Sequence, residues 1–475
     1  MKKRLTALLL LLIFSINTLA FAESTLPIDQ KKELIKMLYF SAKSQAKEEI
    51  DTADFFATAL MKITGEDDAE FEKTLAAVLQ SIDEYGDYIT KEDDVLFSSD
   101  LLGTSGGIGA TVTMRNGRFT IETVLSGSPA EKAGLKADYV ILKVNDTLLE
   151  GMSLNKALTY VRGEVGTEID LLIEISENET AVYTLTRDKI EIKSVTSTLI
   201  GKDKNISYIN ISNFSQETGN EFSGFIKELN DLKIDKMIID LRNNGGGDLQ
   251  GAVEVCDALL KKGDTIVTIE PKDIEDSLSF TASGQEFAGE IVVLVNKYSA
   301  SASEVLTGAL KDNKRATVIG TKTYGKGTVQ NVWPLFMFGG KYKFTTAYYN
   351  TPSGVCINKI GINPHLTVEN KTYNIPEEEM PKITFLRELK QGNTGVDVLE
   401  IKKGLGFLGF KVTENETYDY EMTNAVKSFQ NAVDIEITGN CDVNTMQNLS
   451  YTLSEIKFED DTQLETALKF FEEGL

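Results

Sequence analysis

At 475 residues, with 41% hydrophobic and 25% charged positions, the chain has a globular composition and room for about three domains. Its 72 acidic against 49 basic residues give a net charge of −23, which argues against nucleic acid or an anionic lipid surface as a partner. The lone histidine, His365, follows Pro364 and is read as structural; Cys256, Cys356 and Cys441 lack CxxC spacing and nearby histidines. Neither a metal site nor a disulfide framework is expected, the three cysteines are read as small buried residues, and no cofactor is implied.

Met1-Lys2-Lys3-Arg4, the apolar stretch Leu5 to Ile16 and Ala20-Phe21-Ala22 form a secretory signal over residues 1–22. Its apolar part is short for a membrane span, so the protein is expected outside the cytoplasmic membrane, at the cell wall or membrane-associated. Residues 23–98 read as helices, with stripes at Phe56, Ala59, Leu60, Ile63 and at Leu75, Val78, Leu79, Ile82, broken by Gly65-Glu66-Asp67-Asp68. Such stripes must be buried, on the next domain or in a homodimer, which is the first expectation.

From Leu101 the chain turns to short strands and glycines. Ser105-Gly106-Gly107-Ile108-Gly109 precedes the alternating Ala110 to Met114; then come Gly127-Ser128-Pro129-Ala130, Ala133-Gly134-Leu135, a strand-like run Val140 to Asn145 and a short helix with Leu154, Ala157, Leu158 and Val161. A strand from Ile169 closes the unit. This order resembles a PDZ domain of the bacterial protease type over residues 99–186. The resemblance implies a β-sandwich-like domain that adds a peptide strand to its edge. The N–H groups of Gly107, Ile108 and Gly109 would then hold the peptide's terminal carboxylate; the alternative is that these glycines only shape a turn.

Residues 187–370 alternate strands and helices. Met237 to Leu241 is a buried strand that runs into Arg242-Asn243-Asn244-Gly245-Gly246-Gly247 and a helix with Leu249, Ala252, Val253 and Cys256. A glycine-rich turn there presents bare N–H groups to a phosphate or to an oxyanion. Ile291 to Val295 is a second buried strand, followed by Ser299-Ala300-Ser301-Ala302-Ser303-Glu304 and helical spacing at Val305, Leu306 and Ala309. Ser301 with Glu304 also fits a capping box. Gly320 to Gly327 falls one residue short of a phosphate-binding loop, but Thr328, Val329, Val332 and Trp333 look extended where a helix should start, so a nucleotide site is rejected. A hydroxyl at a helix start and the glycine-flanked Lys326 are parts of a Ser/Lys hydrolase, in which burial must lower the lysine pKa from about 10.4.

Asp240 to Gly247, Ser299 to Glu304 and Thr323 to Gln330 together are similar to the three signature blocks of carboxyl-terminal processing (tail-specific) serine proteases. Tyr349 to Gly354 and Gly361-Ile362-Asn363-Pro364 resemble two further blocks. The resemblance implies Ser301 as nucleophile, Lys326 as general base and Gln330 as the residue orienting that lysine. The N–H groups of Ala302 and of Gly247 are the implied oxyanion donors. His365 stands where the family usually has aspartate, and Gly245 where proline is frequent.

Residues 371–387 read as a linker. Residues 388–452, with Gly392, Gly395, Leu405, Leu408-Gly409-Phe410 and Ala425 to Gln430, are similar to a three-helix peptidoglycan-binding module, and 453–475 as a closing amphipathic helix. The fold class is thus multidomain α/β: a helical N-terminal region, a PDZ domain, an α/β Ser/Lys protease core and a small C-terminal three-helix module. The function implied is a secreted endopeptidase acting on proteins or peptides with free C-termini, with peptidoglycan contact. A catalytically inactive, wall-associated peptide-binding scaffold is the alternative.

Overall fold

The computed structural model describes residues 68–474 apart from 116, 177–178, 272–273, 285 and 336–339, together with residues 36, 53, 56 and 57. The signal segment, and the first helical stripe apart from Phe56, lie outside these residues. The chain divides into two compact units, Met1–Leu75 and Ala76–Leu475. The second predicted stripe falls on a helix, Asp68–Ile82, along which Val78 stays exposed.

The protease core is a six-stranded sheet in the order Val195–Ile200, Ile206–Ile211, Lys236–Asp240, Glu290–Val295, Thr317–Gly320, Leu366–Thr367. The first pair is antiparallel and the rest run parallel. The central strands are apolar at nearly every position because both faces are covered. Met237, Ile239, Ile291, Val293 and Val318 face one core, shared with helices Thr218–Leu232, Leu249–Leu259 and Ala302–Asp312. Ile238, Val292, Leu294 and Ile319 face the other, where Ala467 and Phe471 of helix Thr462–Glu473 seal the sheet. The closing helix thus packs back on the core, held also by Lys236, whose Nζ donates to the Phe471 carbonyl at 3.0 Å. A second sheet carries strand Thr328–Pro334 on Lys341–Asn350, which pairs in turn with Asp87–Ile89 and Thr265–Pro271.

The PDZ sheet runs Ala110–Arg115, Arg118–Val124, Val140–Val144, Glu168–Ser176, Glu179–Thr186, over a core of Ile121, Ile141, Leu171 and Ile173. Its helix Leu154–Val161 starts at Ser153, whose hydroxyl accepts the Lys156 N–H, and ends against Arg187, which donates to the Tyr160 and Val161 carbonyls at 2.9 Å each. Helix Lys91–Leu102 runs past residue 98, and Thr104–Gly107 pairs with Asp188–Glu191 beyond residue 186. The strands entering and leaving the PDZ domain therefore lie side by side. Gly106 is needed there, since a Cβ would sit 2.0 Å from the Gly163 carbonyl oxygen.

The C-terminal module has the three expected helices, Val396–Phe407, Tyr420–Ala432 and Val443–Glu455, around Ile401, Leu405, Phe429 and Leu449. At the start of the stretch read as a linker, Lys371–Tyr373 pairs with Phe458–Asp460, because the chain returns to the core beside its point of departure. The module also touches the PDZ domain, with Lys411 Nζ 2.9 Å from Asp138. Cys256 and Cys441 are buried as expected, whereas Cys356 is only half-buried.

One buried charge pins the module. The Lys402 side chain is fully enclosed, and its ammonium donates to the Thr413 carbonyl, Asn415 Oδ1 and Asp419 Oδ2. Removing one partner of such a set leaves the others without their donor, so Lys402→Ala is expected to cost about 3 kcal/mol. Denaturant unfolding followed by a probe in the module measures this; an unchanged midpoint would contradict the burial argument.

Candidate active site

Three loops leave the carboxyl ends of adjacent parallel strands, the edge of an open α/β sheet where ligands bind. The first follows Lys236–Asp240, the second Glu290–Val295, the third Thr317–Gly320. They carry the Asn-Asn-Gly-Gly-Gly turn, the serine triplet and Lys326.

Two of the three serines spend their hydroxyls on backbone carbonyls, whereas Ser301 forms with Glu304 the capping box expected from the sequence. Ser299 and Ser303 are fully buried, and their hydroxyls donate to the Leu241 and Asn244 carbonyls at 2.8 and 2.9 Å. They stitch the serine loop to the glycine turn. Ser301, between them, is half-buried and stands at the start of helix Ala302–Asp312 with φ 56° and ψ −117°. A β-carbon in that region costs on the order of 1–3 kcal/mol and persists only where the surroundings impose it. Here Ser301 N–H is held by Glu304 Oε2 at 3.0 Å, and its carbonyl accepts from the N–H groups of Glu304 and Val305. The geometry follows the nucleophile-elbow logic, in which a sharp strand-to-helix turn lifts one side chain clear.

Lys326 sits in a backbone vise. A Cβ on Gly325 would lie 2.8 Å from the Gly361 N, and one on Gly327 2.4 Å from the Asn358 N, so both flanking residues must be glycine for the chain to pass. Burial chiefly, then the neighbouring Lys343 charge, lowers the Lys326 pKa; Asp83 and Glu304 oppose this. The direction is the one a lysine base requires.

Two side chains join the serine and lysine loops. The Glu304 carboxylate, with 0% exposure, accepts from Ser301 N–H, from Lys326 N–H at 2.8 Å, from Gly325 N–H at 2.7 Å and from the Thr323 hydroxyl at 2.6 Å. Burial pushes its pKa up against the pull of these four donors. The Tyr349 hydroxyl is shared between the Ser301 carbonyl at 3.0 Å and the Lys326 carbonyl at 2.7 Å. Sequence reasoning saw Glu304 only as a capping partner and gave Tyr349 no role. Acceptance of four donors by a capping residue has no signature in residue order.

In the glycine turn, Gly246 packs against Ser301: a Cβ there would lie 2.8 Å from Ser301 Cβ. Its N–H is bound by Asn244 Oδ1 at 2.8 Å. Gly247 lies against Phe214 instead, with a hypothetical Cβ 2.0 Å from that residue's carbonyl oxygen. Ala302 opens the helix one residue after Ser301. Gln330 lies on strand Thr328–Pro334, and its amide nitrogen donates to the hydroxyls of Thr328 and Thr345 at 2.7 and 3.2 Å. His365 is structural, its Nδ1 accepting the Val318 N–H at 2.9 Å. A cleft of about 410 Å3 opens at the site, lined by Tyr85, Tyr298, Tyr324, Asn243, Gly245, Ala300 and Lys326.

In the PDZ domain, Ile108 is buried, and the carbonyls of Ile108 and Gly109 accept from Ala130 and Leu125 N–H at 2.8 and 2.9 Å, which fixes the loop's peptide planes. Gly107 is a rung of the strand pair, opposite Asp188. Among the described residues no cluster of metal-ligating side chains occurs, and no helix is long and apolar enough to cross a membrane.

Residues 205–368 match Peptidase family S41, residues 120–175 a PDZ domain and residues 394–449 a peptidoglycan binding domain. The chain is 35% identical over 386 residues to a protein of Staphylococcus aureus (strain N315) named as a probable CtpA-like serine protease, covering 81% of this chain and 76% of that one. It is 32% identical over 405 residues to the carboxy-terminal processing protease CtpA of Bacillus subtilis (strain 168), covering 85% of each. Among solved structures, a photosystem II D1 C-terminal processing protease is 28% identical with a TM-score of 0.39, over 71% of this chain and 93% of that one.

Proposed function

The chain belongs to the carboxy-terminal processing proteases of peptidase family S41, and on that premise we propose that it is an extracytoplasmic Ser/Lys endopeptidase that selects substrates by their C-terminus. The observation that carries the dyad is the double bridge: one carboxylate and one phenol each bind the loops of both Ser301 and Lys326. A scaffold without chemistry has no use for a strained serine tied to a desolvated lysine.

In the proposed reaction, neutral Lys326 takes the proton of Ser301 Oγ as that oxygen attacks the scissile carbonyl carbon. The developing oxyanion is held by the N–H of Ala302 and by an N–H of the glycine turn, Gly247 from the family pattern. The Lys326 ammonium then gives its proton to the leaving nitrogen, and the C–N bond breaks. Water attacks the acyl-enzyme with its proton passing to Lys326, which hands it to Ser301 Oγ as the ester C–O bond breaks, so the neutral amine and the free hydroxyl are restored. Gln330, on the strand that follows Lys326, is the residue proposed to orient that lysine, and its own amide is steadied by the Thr328 and Thr345 hydroxyls. The loop of Gly107, Ile108 and Gly109 receives the substrate's terminal carboxylate, and the C-terminal module brings the enzyme to peptidoglycan. The N-terminal region is the proposed homodimer contact.

Two measurements test this. A phosphonate that labels activated serines is expected to modify the peptide containing Ser301, and labelling elsewhere would overturn the assignment. Amidating the C-terminus of a cleaved peptide is expected to lower kcat/KM by about 10- to 100-fold, the worth of hydrogen bonds to a charged group. Equal cleavage of both peptides would remove the PDZ carboxylate site from the mechanism.

A further inference from the structure

We propose that Tyr85, a residue from the segment before the PDZ domain, is a positioning residue for the base: its ring is the lid over the Lys326 amine. The inference rests on Lys326 acting as the base. Lys326 Nζ lies 4.9 Å from the centroid of the Tyr85 ring, and both residues line the cleft beside Ala300 and Gly245.

The ring is held in place from both sides. Asp83 Oδ2 accepts the Thr345 N–H at 2.6 Å, and Glu84 pairs with Lys359 at 3.2 Å. Gly86 N–H is bound by the Asp83 carbonyl at 2.8 Å, and the strand Asp87–Ile89 pairs with Lys343, Tyr342 and Lys341. The strand that receives it, Lys341–Asn350, also pairs with Thr328–Pro334, which begins two residues after Lys326. Lid and base are thus built on one sheet, so the lid has a fixed height above the amine.

Such a lid matters because the glycine vise fixes the lysine backbone but leaves its side-chain torsions free. The groups facing the amine are Lys343 from strand Lys341–Asn350, Asp83 from the lid segment and Glu304 from the nucleophile helix. The Tyr85 phenol is pushed up to about 12 by burial, then by Tyr324 and Glu84, so the ring stays neutral. The ring acts on the amine in two opposed ways. Its face attracts the ammonium, an effect worth about five-fold at an exposed site. Its bulk excludes water, which favours the neutral amine. Burial is the largest influence on this lysine, and the ring that covers the amine contributes to it, so the lid reading expects exclusion to outweigh attraction.

The test uses the full-length protein, with Tyr85→Ala, Tyr85→Leu and Tyr85→Phe. Two titrations are followed: kcat against pH on a tailed peptide, and the pH dependence of Lys326 acylation by an amine reagent, read by mass spectrometry. Tyr85→Ala is expected to move the rising limb of both profiles to higher pH and to slow turnover at neutral pH by about 10- to 100-fold, with a smaller change in KM. Tyr85→Phe, which keeps the ring, is expected to restore both. Tyr85→Leu keeps the bulk without the quadrupole, so its limbs are expected at or below the wild-type position, and it serves if the alanine variant fails to fold. Tyr85→Ala limbs that stay in place, or move down, would overturn the lid. If instead the wild-type kcat limb does not follow the Lys326 titration, the assignment of the base itself fails.

Discussion

Replacing Ser301 by alanine or Lys326 by methionine is expected to slow turnover by at least about 10,000-fold, and combining the two is expected to cost little more. If the two act as the proposed dyad, the serine without its base and the base without its serine are each inert, so their losses overlap rather than multiply. Single-turnover cleavage of a tailed peptide measures this, with circular dichroism to show that the folds are intact. The pH dependence carries the sign. Burial holds the Lys326 amine below its ordinary range, so the folded chain binds fewer protons there than the unfolded chain. The stability it contributes is present above the unfolded lysine value and is lost as the pH falls through the folded one, where the enclosed amine must charge. Activity rises with pH through that same folded value. In Lys326→Met both dependences should vanish, and the variant should resist acid better. A variant that keeps the rising limb would show that some other group takes the proton.

Removing the Glu304 carboxylate is the second large loss. Glu304→Leu leaves two backbone N–H groups of the lysine loop, that of Ser301 and the Thr323 hydroxyl without their acceptor. Each stranded buried donor costs about 1–3 kcal/mol, which relaxation shares out, so an overall loss of about 3 kcal/mol is expected. Turnover is expected to slow about 100- to 1,000-fold as the two loops lose their alignment. A purely electrostatic role predicts the opposite for activity. The Glu304 charge raises the Lys326 pKa, so its removal would leave more neutral base and a faster enzyme at low pH. The two readings are separated by turnover below neutrality: a gain would show that the charge, and not the bridge, is what matters. Burial raises the Glu304 pKa, so its ionised form weighs against the fold at neutral pH. That cost should diminish in the wild type, and not in the variant, as acid protonates the carboxylate.

The fold was legible where a residue pattern has one structural solution. Ile291 to Val295 reads as a doubly covered strand and pairs as one, and the glycines around Lys326 let its backbone pass between others. Ser301 stands out among three serines by family pattern; what singles it out physically, the hydroxyls of Ser299 and Ser303 being spent on carbonyls, needs coordinates. Glu304, Tyr349 and Tyr85 escape a linear reading because each acts across more than 15 residues of sequence, or through a backbone group that residue identity does not encode. Gly247 is matched from the spacing of its block, whereas the packing puts Gly246 against Ser301.

Both accessory domains are attached by neighbouring strands, Thr104–Gly107 with Asp188–Glu191 and Lys371–Tyr373 with Phe458–Asp460. Each is in effect a long excursion from a hairpin, leaving and rejoining the catalytic body at a single spot. Such plug-in attachment allows either domain to be exchanged or lost through one short splice, without rerouting the central sheet. The same protease body is in this way open to being fitted with different accessory domains.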